Sequence, residues 1–369
     1  MIPSRVKAII GITEPELVKL SSSERAKYIK GNSFISSEDG HETSAGDFKT
    51  MKLEDIKNLI NNGHVYNGCT DFTNNSTNES ASSISDGKTN GKTNGKTNHC
   101  HLIVREGIDI GVLQSNLKTS DKAMVQVASN FNCLEIPHKN FLPNNGRLVT
   151  MAETDHTQGP GASFGPLSAY LHRAHFYEGG QTLEKQVNLL RNTELYFGKS
   201  VNGKMVLNGD EKIIHDIDEV AGQLEFGLHT DVPVIYGRDR QGVNYELNEL
   251  YPLIDQVFSS TINLKNYGAR ATKNKLKKIT HTLLRAAYES IFLAAIYRQR
   301  ETLYLTLIGG GMFRNSIEII LEELVRAFKQ WGNHKMSKLI NIVVCVYEEY
   351  TNIEEKIKEL LQEDDKNIS

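Results

Sequence analysis

Gly309-Gly310-Gly311-Met312-Phe313 follows an apolar run, Tyr304-Leu305-Thr306-Leu307-Ile308, and precedes an amphipathic segment, Ser316 to Phe328. A strand, a glycine-rich turn and a helix in that order aim backbone N–H groups at negative charge, most often a phosphate. Thr157-Gln158-Gly159-Pro160-Gly161-Ala162 opens a second helical segment, 163–176. Its small residues permit close backbone approach, and first-turn N–H groups are unpaired within a helix. Two such turns in one domain suit a diphosphate better than a single phosphate. A third stretch, Val125-Gln126-Val127-Ala128-Ser129-Asn130-Phe131-Asn132, runs from an apolar strand into small polar residues. Open α/β sheets bind ligands at the carboxyl ends of their strands. An asparagine placed there can donate to and accept from one sugar hydroxyl, although turn formation is its commoner use.

Other combinations carry less chemistry. His172 and His175 lie three apart on one helical segment, but no third ligand accompanies them, so no metal site is expected. His229 and Asp231 lack a nucleophile in a recognisable setting. Cys69, Cys100, Cys133 and Cys345 are scattered, which suits reduced thiols in a cytoplasmic or nuclear protein. The Gly-Lys-Thr-Asn copies spanning Gly87 to Asn98 share Gly-Lys-Thr with a nucleotide P-loop, but no P-loop is expected. That motif needs a glycine five positions before the Gly-Lys pair, and position 82 is Ser82. Arg298, Arg300 and Glu301 read as a solvated helix end, and Trp331 as a packing anchor.

The elements that must position these residues follow from hydrophobic period. His101 to Arg105 and Ala123 to Ala128 read as strands, the second buried on both faces. Leu224 to Leu228, Val232 to Tyr236, Gln256 to Leu264 and Ile340 to Tyr347 read as further strands. Met51 to Ile60, Leu276 to Arg298 and Ile353 to Gln362 read as helices. Strands alternating with helices predict a layered α/β domain with a largely parallel sheet over residues 101–365. Residues 1–66 read as a partly helical N-terminal extension. Residues 67–100 are a polar, low-complexity insert with almost nothing apolar to bury, expected to be disordered.

Composition narrows the function class. Of 369 residues, 39% are hydrophobic and 24% charged, with a net charge of −3, as in an ordinary globular protein. The charge balance and the absence of dense Lys/Arg clustering argue against a nucleic-acid partner. No apolar run approaches the ~20 residues of a membrane span, and Met1 to Arg5 lacks the apolar core of a secretory leader.

Taken in chain order, the three stretches resemble the macro domain, the ADP-ribose-binding α/β module. That family has a Gly-Asp-Ile-Thr-like strand end, then a Val-Asn-Ala-Ala-Asn strand. A Gly-Gly-Gly-Val loop then opens a helix with an Ala-Ile-His-like stretch, and a later strand ends in a glycine-rich turn with an aromatic. The chain offers Gly107-Ile108-Asp109-Ile110, Val127-Ala128-Ser129-Asn130, and Thr157 to Gly161 leading to Ala169-Tyr170-Leu171-His172. Last comes Ile308 to Asn315. The pattern departs from the family by an extra residue inside the Gly-Asp pair and by Gln126 near the family's first Asn. In the first loop, Pro160 removes a donor. A long stretch between the two loops implies an insertion within 180–275.

The resemblance implies a three-layer α/β/α fold with a mostly parallel mixed sheet. It implies Asp109 against the adenine amino group, and the diphosphate between Thr157, Gln158, Gly159, Gly161 and Gly309, Gly310, Gly311, Met312, Phe313. Asn130, with Asn132 also within reach, would hold the distal ribose. Hydrolysis of an ADP-ribosyl bond would use a positioned water, with Asn130 and Asp155 as the catalytic candidates and Glu153 and His156 as other bases in sequence reach. The implied partners are ADP-ribose or ADP-ribosylated protein, with no cofactor. A non-catalytic ADP-ribose reader and an interaction module with a degenerate cleft are the alternatives.

Overall fold

The computed structural model describes residues 5–66, 100–136, 141–154, 157–238, 244–267, 272–346 and 350–366. Nearly all of the insert expected at 67–100, with its Gly-Lys-Thr-Asn copies, lies outside the described residues. So do Asp155 and His156.

Seven strands form the central sheet, and only these are numbered: β1 (Asp47–Lys52), β2 (His101–Glu106), β3 (Met124–Ala128), β4 (Glu225–Pro233), β5 (Leu253–Ser259), β6 (Thr302–Thr306) and β7 (Asn341–Val346). Their spatial order is β1-β4-β5-β3-β6-β7-β2. The five strands from β5 to β2 are parallel, with Asp255 opposite Met124 and Thr302 opposite Asn341. β4 runs antiparallel to both of its neighbours. Five carboxyl ends therefore open on one edge of the sheet. Four consecutive buried residues on β3, Met124 to Val127, mark a strand covered on both faces, as its apolar run predicts.

Helices complete the three-layer α/β/α arrangement. Those used below are α1 (Leu53–Asn61), α2 (Ile110–Gln114), α3 (Gln158–Phe164), α4 (Leu167–Leu171), α5 (Lys273–Tyr297), α6 (Ile317–Ala327) and α7 (Ile353–Lys366). The Thr272 hydroxyl caps α5 by accepting from the Lys275 N–H at 3.3 Å, and nearly every residue from Ile279 onward is buried. A helix so apolar all round belongs inside the protein, and α5 packs on α1, α6 and the sheet.

Several elements differ in extent from their sequence pattern. The helix expected at 163–176 begins at Gln158 and is interrupted at Gly165-Pro166, since proline cannot donate to the preceding turn. The strands expected at 224–228 and 232–236 are largely one strand, β4. Met51 lies not in a helix but at the end of β1, and α1 starts at Leu53. β1 falls within the residues read as an N-terminal extension, and β4 and β5 fall within 180–275.

Arg298 and Arg300 are also not a solvated helix end. Arg298 donates to Asp255 at 2.8 Å and to Asp231 at 2.7 Å, and Arg300 donates to the same two carboxylates. Burial opposes the Arg298 charge, but its two carboxylate partners outweigh burial and raise its pKa. This network lies at the amino-terminal edge, away from the parallel strands' carboxyl ends.

The N-terminal residues pack as a second apolar cluster, with Val6, Ile9, Ile10 and Leu17 against Leu148, Phe164 and Tyr170. Buried Glu14 fastens it. Its carboxylate accepts the N–H groups of Leu148 (3.1 Å) and Val149 (3.0 Å) and lies 2.9 Å from Nε2 of His175. A carboxylate at the start of the helix Leu148–Thr154 satisfies two donors that the helix cannot. His175 is thereby committed to structure.

Candidate ligand-binding site

Three of the segments singled out by residue type meet at the carboxyl edge. The loop after β3 is tied down by its own backbone: Ser129 N–H donates to Ser259 O, Asn130 N–H to Leu134 O, and Cys133 N–H to Asn130 O. Asn130 is buried, and its Nδ2 donates to Ile136 O at 3.2 Å. Asn132 turns inward instead. It is fully buried, donates to Gln186 Oε1 and accepts from Leu134 N–H. Gly203 packs so closely on the Asn132 amide that a Cβ there would meet its Oδ1 at 2.4 Å.

The segment expected as the first diphosphate loop is the opening turn of α3, and it is packed. A Cβ on Gly159 would stand 2.1 Å from the Ala128 carbonyl oxygen, so glycine lets α3 sit on the end of β3. We expect Gly159→Ala to cost about 1–3 kcal/mol through overpacking. That would be read as a fall of roughly 2–4 °C per kcal/mol in a thermal melt. An unchanged midpoint would mean that α3 is not seated on Ala128.

Asp109 caps α2, accepting the Gly111 N–H at 2.7 Å on one oxygen. Its other oxygen accepts from Arg238 Nη1 at 2.8 Å. The arginine comes from the hairpin formed by Tyr236–Arg238 and Tyr245–Leu247 and is held from behind by Tyr245, whose hydroxyl takes Nε–H at 2.9 Å. Nη1 also lies 3.5 Å from Thr157 O, and Gln158 Oε1 accepts the Ile110 N–H at 3.1 Å. The Asp109 loop and the start of α3 are thus one packed unit.

The glycine turn after β6 differs from both. Gly309 has φ +76°, and a Cβ there would meet the Thr261 side chain at 2.2 Å, so position 309 requires glycine. Asn315 secures the turn from beneath, donating through Nδ2 to Gly309 O and Ile262 O, both at 3.0 Å. Gly310 N–H donates to Leu307 O, and Phe313 O accepts from Leu264 N–H. The N–H groups of Gly311, Met312 and Phe313 have no hydrogen-bond acceptor among the described residues. Gly311 is exposed, among the described residues only the Tyr350 hydroxyl lies within 4 Å of where a Cβ on it would stand, and Met312 is 63% exposed. Among the described residues, no side chain seals the outer face of this turn. Glu318 already occupies the first turn of α6, so the turn itself, rather than the helix end, is the donor surface.

Glu135 was not foreseen from sequence. It follows the Asn130 loop, is half-buried, and its Oε1 lies 3.3 Å from where a Gly159 Cβ would be. Ser163 Oγ is 3.5 Å from the same oxygen. The available signal was position: it is the first carboxylate after the end of β3. Lys204, from the hairpin Lys199–Val201 and Lys204–Val206, has its pKa lowered by burial, with Glu135 opposing that fall.

Neighbouring groups have other tasks. Burial pushes the Cys133 thiol up to about 12, so it is no nucleophile near neutral pH. Arg173 donates to Cys133 O at 3.2 Å and lies 3.0 Å from His229 Nδ1. Burial and that guanidinium keep His229 far below its usual pKa. Because arginine can only donate, Nδ1 accepts and Nε2–H donates to Ala45 O at 2.7 Å. Among the described residues, no group of three His, Cys, Asp or Glu could hold a metal.

No family model and no curated protein matches the chain. Among solved structures it is similar to poly(ADP-ribose) glycohydrolase from Thermomonospora curvata, with 12% identity over 95% of this chain and 98% of that one and a TM-score of 0.40. It is also similar to poly(ADP-ribose) glycohydrolase from Deinococcus radiodurans in complex with ADP-ribose. There the identity is 10% over 87% of this chain and 95% of that one, with a TM-score of 0.42. Scores at this level leave the functional reading to the geometry of this chain.

Proposed function

We propose that the carboxyl edge binds ADP-ribose or a related nucleotide diphosphate and hydrolyses ADP-ribosyl bonds on proteins or small molecules. The observation that carries this reading is the open turn after β6, with three consecutive backbone N–H groups lacking an acceptor among the described residues. Unpaired amides held on a rigid turn bind a phosphate with little reorganisation. β3 is hydrogen-bonded to β6, so the loop bearing Asn130 and Glu135 leaves the sheet beside the turn.

In this reading the diphosphate lies along Gly311, Met312 and Phe313, with Gly309 and Gly310 shaping the turn. Phe313 packs on the distal ribose, and Asn130 stands at the ribose end. Thr157, Gln158, Gly159 and Gly161 form the facing wall together with Asp109. Asn132 takes no direct part. Glu135, at the edge beside Gly159, is the better-supported general acid or base. Thr306 N–H donates to Gln126 Oε1, so Gln126 braces the sheet beneath the site. Buried, unpaired thiols at Cys100, Cys133 and Cys345 suit a cytoplasmic or nuclear setting. Among the described residues, no helix is long and apolar enough to cross a membrane.

Isothermal titration calorimetry with ADP-ribose, with adenosine as the phosphate-free control, tests the reading. Saturable heat with ADP-ribose and none with adenosine is expected. Silence with ADP-ribose at millimolar concentration would remove the proposal.

A further inference from the structure

We infer that Arg238 is a positioning residue, whose guanidinium sets the separation between the Asp109 loop and the start of α3. The inference rests on the reading above for its effect on ligand, but its geometric content stands apart from it.

Arg238 joins parts of the chain that are distant in sequence. Nη1 is 2.8 Å from Asp109 Oδ2 and 3.5 Å from Thr157 O, while Nε donates to the Tyr245 hydroxyl at 2.9 Å. The side chain is entirely shielded from solvent, and Asp109 is only 7% exposed. Two glycines make room for it. A Cβ on Gly161 would stand 2.8 Å from the Arg238 Cζ, and one on Gly111 would stand 2.8 Å from Asp109 Oδ1 and 3.1 Å from the Arg238 Cδ. The backbone is hollowed around the guanidinium from both sides.

The planar guanidinium has several fixed donors and can meet carboxylate, carbonyl and hydroxyl at once. An ammonium on a flexible stem cannot reproduce that fork. Tyr245 adds a face, with its ring 5.0 Å from Cζ, and the ring of Phe164 packs on Tyr245 at 4.2 Å. Arg238 thus carries the rigidity of a packed aromatic pair to Asp109, which caps α2, and to Thr157, the residue before α3. The Gln158–Ile110 hydrogen bond closes the same junction from the other side. Positioning by Arg238 would then fix where Thr157 stands relative to the open glycine turn.

Arg238→Lys is the informative variant, because it retains the charge that Asp109 requires while removing the fork. Hydrogen exchange followed by mass spectrometry reads the geometry without any ligand. Peptides covering 109–114 and 157–164 should exchange at least about tenfold faster in the variant, while those covering β3 and β6 stay as in the wild type. Titration with ADP-ribose should show binding weakened by about tenfold or more. Arg238→Ala, which leaves a cavity of guanidinium shape, should regain part of that binding in millimolar ethylguanidinium, whereas a purely structural loss would not respond.

Unchanged exchange at both junction peptides in Arg238→Lys would overturn the inference. So would wild-type affinity in that variant. If Arg238→Ala does not fold, Tyr245→Phe replaces it and should accelerate exchange at the same peptides to a smaller extent; no acceleration there also counts against the inference. Wild-type protein that ignores ADP-ribose while the exchange pattern responds to Arg238→Lys would refute the proposed ligand and leave the positioning role standing.

Discussion

Replacing Gly311 with glutamate should weaken ADP-ribose binding by about 100-fold while leaving the thermal midpoint close to that of the wild type. The magnitude follows from charge. Unit charges about 4 Å apart repel by roughly 4 kcal/mol at an effective dielectric of 20. Solvent at an exposed turn screens about half of that, leaving roughly 2–3 kcal/mol, or about two decades in affinity. Position 311 is chosen because space beyond it is open, with nothing nearer than 3.8 Å to a Cβ there. Its neighbours would confuse the result. A Cβ on Gly310 would press on Ile317 at 3.1 Å and on Leu307 O at 3.2 Å, and Gly309 is held at positive φ. Calorimetry and a thermal melt on the same preparation check both halves of the expectation. Wild-type affinity in Gly311→Glu would place the phosphates elsewhere, whatever the protein binds. Gly311→Ala is the companion variant: it keeps the N–H and adds no charge, so its binding should stay near that of the wild type.

The elements that frame this turn were legible because their signals are local. β3 is read from the apolar run Ala123 to Ala128, α5 from a continuous helical period, and the turn from three adjacent glycines. Their chain order also conveyed that they belong to one parallel sheet. What stayed hidden depends on contacts between residues far apart in sequence. Gly159-Pro160-Gly161 has loop composition, yet it lies inside α3 because Gly159 lets the helix approach Ala128 and Gly161 makes room for Arg238. Arg238 has no motif around it; its meaning comes from Asp109, 129 positions earlier. The two asparagines after β3 show the same limit. Both are plausible ligand contacts by residue type, but the approach of Gly203 and Gln186 turns Asn132 into the core. Arg298 likewise follows a helix, where solvation is the ordinary outcome, and is buried only because Asp255 and Asp231 face it across the sheet edge.

Glu135→Gln should abolish most hydrolysis while preserving ligand affinity. The substitution is nearly isosteric and retains an amide oxygen for Ser163, so the loop after β3 keeps its shape. It removes the ability of the side chain at 135 to give or take a proton. Loss of a positioned general acid or base costs about 10²–10⁴ in rate. We therefore expect the release of labelled ADP-ribose from a modified protein to slow by at least about 100-fold, with the dissociation constant for ADP-ribose unchanged. The pattern of results separates the possible roles. Slow release with intact affinity assigns proton transfer to Glu135. Wild-type release in the variant would clear Glu135 and return attention to Asp155, the carboxylate proposed from sequence. A wild-type protein that binds ADP-ribose tightly yet leaves the modified protein intact over hours would be a reader. In such a protein Glu135→Gln should change nothing, because a cleft that only holds its ligand asks no proton of its walls.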